Sequence, residues 1–295
     1  MQKSRASSLS LTDIEVKILL EFFPQGICAF DLEMTGLSPM LDKIIEIAAY
    51  KLLADGSFQT YHSLVNPLIP IPPKTIAFHG LTNDILRTAQ TLKKPLTQFL
   101  DFYQSSPLIA HNAMFDIGFL IRGIHEHNFS ISLSSVYDSC KMARNLFKKH
   151  PQAPENSKLA TLATYFEIDF DHHQALDDAI VCLKIYARCL IELKTKFPNK
   201  NNKELSFLFK LNSFQKCENY LLPNKLSALK EYIPLQQKIF IKYKGGSYKG
   251  EFRPIKPISL LPMPQGLILY AQCLHTDYNK YFQIKKIQSL TLEPK

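Results

Sequence analysis

Three strand-length apolar runs follow one another near the start of the chain: 26–33 (GICAFDLE), 43–53 (KIIEIAAYKLL) and 58–66 (FQTYHSLVN). Asp55-Gly56, between the second and third, is a hairpin signal, so this opening is antiparallel. Four prolines at 67–73 make an irregular connector. The period then changes. A helix is expected at 96–104, a buried strand at 107–111, a helix at 113–127 and a short strand ending at Asp138. Helices follow at 139–149, 158–166 and 175–195. The order β-β-β-α-β-α-β-α-α-α demands a mixed α/β sheet with helices on its faces.

The flanking segments differ. Thr12-x-x-Glu15 reads as a capping box opening a helical extension over 1–24. The mixed-sheet domain would occupy 25–196, a linker 197–203 (FPNKNNK), and a mixed helical connector 204–237. From 238 to 295 short strands rich in Ile, Tyr and Leu are punctuated by Gly245-Gly246, Pro254, Pro257, Pro262 and Pro264. That pattern predicts a small β-rich domain, barrel-like or strongly bent.

Charge divides along the same boundary. The chain carries +9, but residues 1–191 hold 17 Lys/Arg against 19 Asp/Glu, and residues 192–295 hold 18 against 7. The C-terminal third therefore supplies the whole excess, which suits an anionic partner. No two of the six cysteines are spaced as CxxC, which argues against a zinc knuckle and for buried thiols in a reducing cytoplasm. With no uninterrupted apolar stretch of spanning length, a membrane location is not expected.

Three places concentrate carboxylates. Asp31 and Glu33 lie two apart on a strand, so both leave the same face. Adjacent carboxylates repel and lose hydration unless a cation lies between them. Asp116 falls in the first turn of a helix just after a buried strand, where the helix dipole alone could account for it. In 173–179 (HQALDDA), Asp177 shares a helical stripe with Lys184 and Arg188, a solvated face. Asp178 shares one with Cys182, Ile185 and Cys189, an apolar face. Asp178 is therefore the functional candidate. His173, or its neighbour His172, could reach the same site from the preceding loop.

FDLEMTGL at 30–37, HNAMFD at 111–116 and H-x4-D at 173–178 resemble the three exonuclease motifs of the DEDD superfamily, in its His-containing branch. That branch includes the proofreading subunit of bacterial replicative DNA polymerase. The resemblance covers about residues 25–192. It implies an RNase H-like fold and 3′→5′ hydrolysis of nucleic acid, with single-stranded DNA the first substrate and RNA the second. It implies metal ligation by Asp31, Glu33, Asp116 and Asp178, and general-base work by His173, with Glu33 also counted as catalytic. It favours His173 over His172. The cofactor would be two Mg²⁺ or Mn²⁺ ions, since all the ligands are hard oxygens. Thr35, Gly36, Leu37, His79, Asn112 and Phe115 would hold the 3′ end, and replication or repair proteins are possible partners. The other functional class is an inactive exonuclease fold that binds nucleic acid. Gln98–Phe102 (QFLDF) is similar to a sliding-clamp peptide, but reads first as the buried face of a helix.

Residues 238–292 resemble, more distantly, the WYL-type ligand-sensing module. Leu267 and Ile268 stand at its name-giving positions, and Lys286 replaces a late arginine. Independently of that resemblance, Lys and Arg alternate with aromatics at Lys242-Tyr243-Lys244, Tyr248-Lys249, Phe252-Arg253 and Lys280-Tyr281-Phe282. Positive charge with stacking faces is what single-stranded nucleic acid requires.

Overall fold

The computed structural model describes residues 9–148, 150–169, 174–197, 199–214, 220–246, 248 and 250–294. His172, His173 and Cys217 lie outside them. Two compact units emerge. The first comprises Met1–Thr35, Ile44–Asp116 and Ser130–Asn212; the second comprises Gly36–Lys43, Ile117–Phe129 and Ser213–Lys295.

The first unit is built on a seven-stranded mixed sheet. Its strands are β1 (Ile27–Met34), β2 (Ile44–Leu52), β3 (Phe58–Asn66), β4 (Gln90–Thr91), β5 (Leu108–Ala110), β6 (Ser135–Asp138) and β7 (Phe207–Lys210), in the order β4-β3-β2-β1-β5-β6-β7. β1, β2 and β3 pair antiparallel, as the Asp55-Gly56 turn requires. β5 joins β1 in parallel, and β6 joins β5 in parallel. Every residue of β2 is buried, which explains its mostly apolar run, broken only by Glu46 and Lys51.

Alternation along β1 divides the core between the two faces. Ile27 and Ala29 face a cluster containing α1 (Asp13–Phe22), α6 (Ser139–Leu146), α7 (Leu159–Tyr165) and α8 (Ala175–Lys196). Phe30 turns the other way, its ring 5.5 Å from Phe99 of α4 (Lys93–Tyr103). Phe99 is fully buried on the inner face of α4 with Leu96 and Tyr103, while Gln98 and Asp101 of QFLDF are exposed.

After the proline connector the chain forms two short helices that the sequence pattern did not announce, α2 (Pro73–His79) and α3 (Asn83–Leu86). Two expectations change. The segment expected to link domains does not leave the first unit: α9 (Asn202–Ser206) leads into β7, which pairs antiparallel with β6. The N-terminal extension is likewise integral. Its capping box forms, with the Thr12 N–H donating to Glu15 Oε2 at 2.8 Å and Glu15 N–H donating to Thr12 Oγ1 at 3.3 Å. Glu15 is fully buried against Arg188 Nε (2.7 Å) and Lys184 Nζ (3.3 Å) of α8. Lys184 is thus covered by α1, while the Arg188 side chain stays 41% exposed.

The second unit carries α10 (Leu229–Tyr232) and strands β8 (Ile239–Tyr243), β9 (Phe252–Met263), β10 (Gly266–Cys273), β11 (Asn279–Gln283) and β12 (Ile287–Thr291). The β-rich expectation holds. The ladder is antiparallel and runs open from β11 to β12, in the order β11-β10-β9-β8-β12, so closure into a barrel is not part of the pairing among the described residues. One face packs Ile239, Ile241, Ile255, Leu269 and Phe282 on Leu226, Leu229 and Ile233. α5 (Met114–Glu126) begins in the first unit and continues in the second.

Candidate active site

Asp31 and Glu33 leave β1 on one side, near its C-terminal end. Their antiparallel partners on β2 are Ala48 and Glu46, and a bulge follows between Glu33 and Met34. The parallel neighbour β5 ends at Ala110, and the chain turns through His111 and Asn112 into α5. Asn112 adopts φ +62, the left-handed region that asparagine tolerates. Its N–H donates to Asp138 Oδ1 at 3.2 Å, the same oxygen that caps α6 through the Lys141 N–H at 3.0 Å. His111 is clamped between Ser139 Oγ (2.8 Å) and the Ser157 carbonyl (2.9 Å). Burial holds it neutral down to about 4. This turn sets Asp116 in the first turn of α5, buried to 6% exposure.

Asp178 arrives from the first turn of α8. One ligand oxygen from each of Asp31, Glu33 and Asp178 lies within 4.8 Å of the others. Asp177, its sequence neighbour, is not in this group. Electrostatics ties Asp116 to them. Burial raises Asp31 well above the ordinary carboxylate range, and Asp116, Asp178, Glu33 and Glu46 add to the rise. Burial, then Glu46, Asp178 and Asp116, pushes Glu33 to about 8. Burial pushes Asp116 to about 7, with backbone bonds from its own N–H and from Leu32 opposing. So much negative charge in so little water calls for a cation. The donor set is all carboxylate oxygen, which fits Mg²⁺ or Mn²⁺.

Glu46 was not among the residues expected here. It is 8% exposed, faces Glu33 across the strands and bonds His62 Nε2 of β3 at 2.5 Å, which raises the His62 pKa. The sequence carries only a weak trace of it: Glu46 is the one acidic residue in the run KIIEIAAYKLL, and a buried carboxylate there needs a partner, which pairing with β3 supplies.

The expected 3′-end residues are spread more widely. Thr35 is buried at the end of the β1 segment, and Leu37 is 52% exposed. At Gly36 a Cβ would lie 2.5 Å from the Asp42 carboxylate, which accepts the Ser38 N–H at 2.8 Å, so the glycine makes room for that carboxylate. His79 ends α2 before a left-handed Gly80 (φ +72), and its Nδ1 accepts the Leu81 N–H at 3.0 Å. Asn112 is exposed and Phe115 half-buried in the turn before Asp116. Leu37 and Gly36 belong to the second unit, the others to the first.

A seven-stranded mixed sheet flanked by helices, with carboxylates at the end of its central strand, is an RNase H-like exonuclease fold. The Exonuclease family model (RNase_T) matches residues 28–186, more than half of the chain, and the chain belongs to that family. It is 34% identical over 166 residues to the PolC-type DNA polymerase III of Caldanaerobacter subterraneus subsp. tengcongensis. The match covers 56% of this chain and 12% of that protein. A PolC-type DNA polymerase III of Streptococcus sanguinis is 33% identical over 144 residues, covering 49% of this chain and 10% of the relative. The chain thus spans about a tenth of the curated relatives it matches. Among solved structures, the nuclease domain of 3′hExo, a DEDDh family member bound to rAMP, superposes with TM-score 0.51 at 21% identity, covering 64% of this chain and 98% of that one. Cell-death related nuclease 4 gives 0.50 at 13% identity, covering 57% and 64%. Both share the fold. Among the described residues no helix is long and apolar enough to cross a membrane.

Proposed function

We propose that this chain is a metal-dependent 3′→5′ exonuclease that releases mononucleotides from the 3′ end of single-stranded DNA. The carrying observation is the convergence of Asp31, Glu33 and Asp178 oxygens within 4.8 Å, from a strand and a helix far apart in sequence. Asp116 completes the ligand set from α5. Two divalent ions, when bound, offset the charge that develops on the attacking and leaving oxygens of a phosphodiester. The four carboxylates hold that charge in place, and His173 takes the proton from the attacking water. Thr35, Leu37, His79, Asn112 and Phe115 position the terminal nucleotide. The PolC-type relatives favour DNA over RNA.

The test is hydrolysis of a 5′-labelled oligonucleotide, as single-stranded DNA, mismatched duplex and RNA, with Mg²⁺, Mn²⁺ or EDTA. A ladder shortening from the 3′ end, lost in EDTA, is expected. Asp178→Ala should abolish most hydrolysis and His173→Ala should cost roughly 10²–10⁴-fold, while Asp177→Ala keeps most activity. Strong activity in Asp178→Ala, or shortening from the 5′ end, refutes the assignment.

A further inference from the structure

The five strands of the second unit hold Lys242, Arg253, Lys256 and Lys280 and not one Asp or Glu. The register sorts their side chains onto two faces. Ile239, Ile255 and Cys273 form one row of the buried face, and Ile241 and Arg253 another. Arg253 is 5% exposed, its guanidinium 4.8 Å from the Tyr248 ring and 5.5 Å from the Phe282 ring. Arg253 and Phe282, although part of the aromatic and basic pattern in the sequence, are therefore internal packing.

The opposite face is covered at Ser259, Leu261 and Ile268, which are buried, and more open beyond them. Tyr270 and Tyr281 are cross-strand partners with ring centroids 4.8 Å apart. Lys256, Gln272 and Asn279 form the next row. Phe240 pairs with Pro254, and Lys242 with Phe252. Lys242 Nζ lies 5.1 Å from the Phe252 ring, and Lys238 Nζ 5.1 Å from the Phe240 ring. Apart from the buried three, all of these residues are half-buried or exposed, with Tyr281 at 46%.

We infer that this outer face is a second binding surface, whose ligand is single-stranded nucleic acid. Flat rings set among lysines, on strands without any carboxylate, supply stacking for bases and charge for phosphates together. A protein partner of ordinary composition would need acceptors for its own lysines and arginines; the strands provide no carboxylate, and Asp277, just beyond β10, already accepts from Gln272 Nε2 at 2.8 Å. A duplex keeps its bases stacked and would leave the rings unused. The inference shares with the proposed activity the premise of a single-stranded ligand, but concerns binding and not cleavage.

The experiment uses the full chain in EDTA, measuring fluorescence anisotropy with labelled dT20 and rU20. Turnover of a trinucleotide with Mg²⁺ reports the carboxylate site separately. Tyr270→Ala/Tyr281→Ala should weaken binding roughly tenfold or more, and Tyr270→Phe/Tyr281→Phe should retain it. Lys242→Gln/Lys256→Gln should weaken binding and lower its salt slope by about 1.4. Lys93→Gln/Lys94→Gln, the same charge change on α4, is the control. Trinucleotide turnover should stay constant in every variant. Unchanged affinity in the tyrosine and Lys242/Lys256 variants overturns the inference. So does an equal loss in the control. Absence of trinucleotide turnover in the parent would sink the cleavage reading while leaving the binding result to be judged alone. The ratio of dT20 to rU20 affinity identifies the strand.

Discussion

Glu33 ordinarily titrates near 4.5, and in this fold burial with Glu46, Asp178 and Asp116 moves it to about 8. Asp116 moves from 3.8 to about 7, chiefly through burial. Between pH 5 and 8 the metal-free folded protein therefore holds protons that the unfolded chain has released. Its stability falls as pH rises through that window. His111 works the other way below its ordinary 6.5, because the fold keeps it neutral to about 4. His111 is the same with and without metal, so the gain from magnesium isolates the carboxylates. That gain, measured by calorimetry, should be several degrees in melting temperature at pH 8, each kcal/mol being worth about 2–4 °C. At pH 5 it should nearly vanish, because protonated carboxylates no longer bind the ion. Glu46→Gln removes one of the charges raising Glu33, so the magnesium gain at pH 8 should shrink. An equal magnesium effect at both pH values would contradict this account.

At the scale of elements, α1 is held to α8 by an ion cluster in which Glu15 and Lys184 are buried and Arg188 reaches solvent. Glu15 accepts from Thr12 N–H and Arg188 Nε and pairs with Lys184, whose Nζ also donates to the Ser10 carbonyl at 2.7 Å. Removing one partner of a buried ion pair strands the other, at a cost of about 3–5 kcal/mol. Glu15→Ala should therefore lower unfolding free energy by that order in urea titrations, and Thr12→Ala by about 1 kcal/mol. A loss below 1 kcal/mol for Glu15→Ala would show the cluster to be solvated. The same elements show what a sequence reveals. α8 was legible because burial on a defined face imprints a period, β2 as a mostly apolar run buried on both faces, and β3 because the Asp55-Gly56 turn returns the chain beside β2. The capping box was legible because its two bonds are local. The docking of α1 was not, since the partners of Glu15 lie 169 and 173 residues away. Nor was β7: four residues after a Pro/Asn/Lys stretch carry too little pattern, and only an open sheet edge at β6 makes them a strand. In the candidate site, Asp31, Glu33 and Asp178 could be read from strand alternation and a helical stripe. Glu46 could not be assigned, because its relevance depends on the cross-strand register that sets it against Glu33.

Across the whole molecule, charge is separated along the chain, although the division falls inside the first unit, which keeps residues 192–212. Residues 1–191 sum to −2 and residues 192–295 to +11. A chain that gathers carboxylates at one site repels phosphates there until cations arrive, so metal-free binding of a strand must come from elsewhere. The carboxylate-free strands of the second unit meet that need. Lys238, Lys242 and Lys256 lie on the outer face beside Phe240, Phe252 and Tyr270. If each neutralises one phosphate, log affinity for dT20 in EDTA should fall with log salt at a slope of about −2. Raising salt from 50 to 200 mM would then weaken binding about 20-fold. Trinucleotide turnover at saturating magnesium should change much less over the same range, because its phosphate is held by ions rather than by lysines. Parallel salt curves for the two measurements would mean that one site serves both, and the separation of charge along the chain would have to be explained by something other than strand binding.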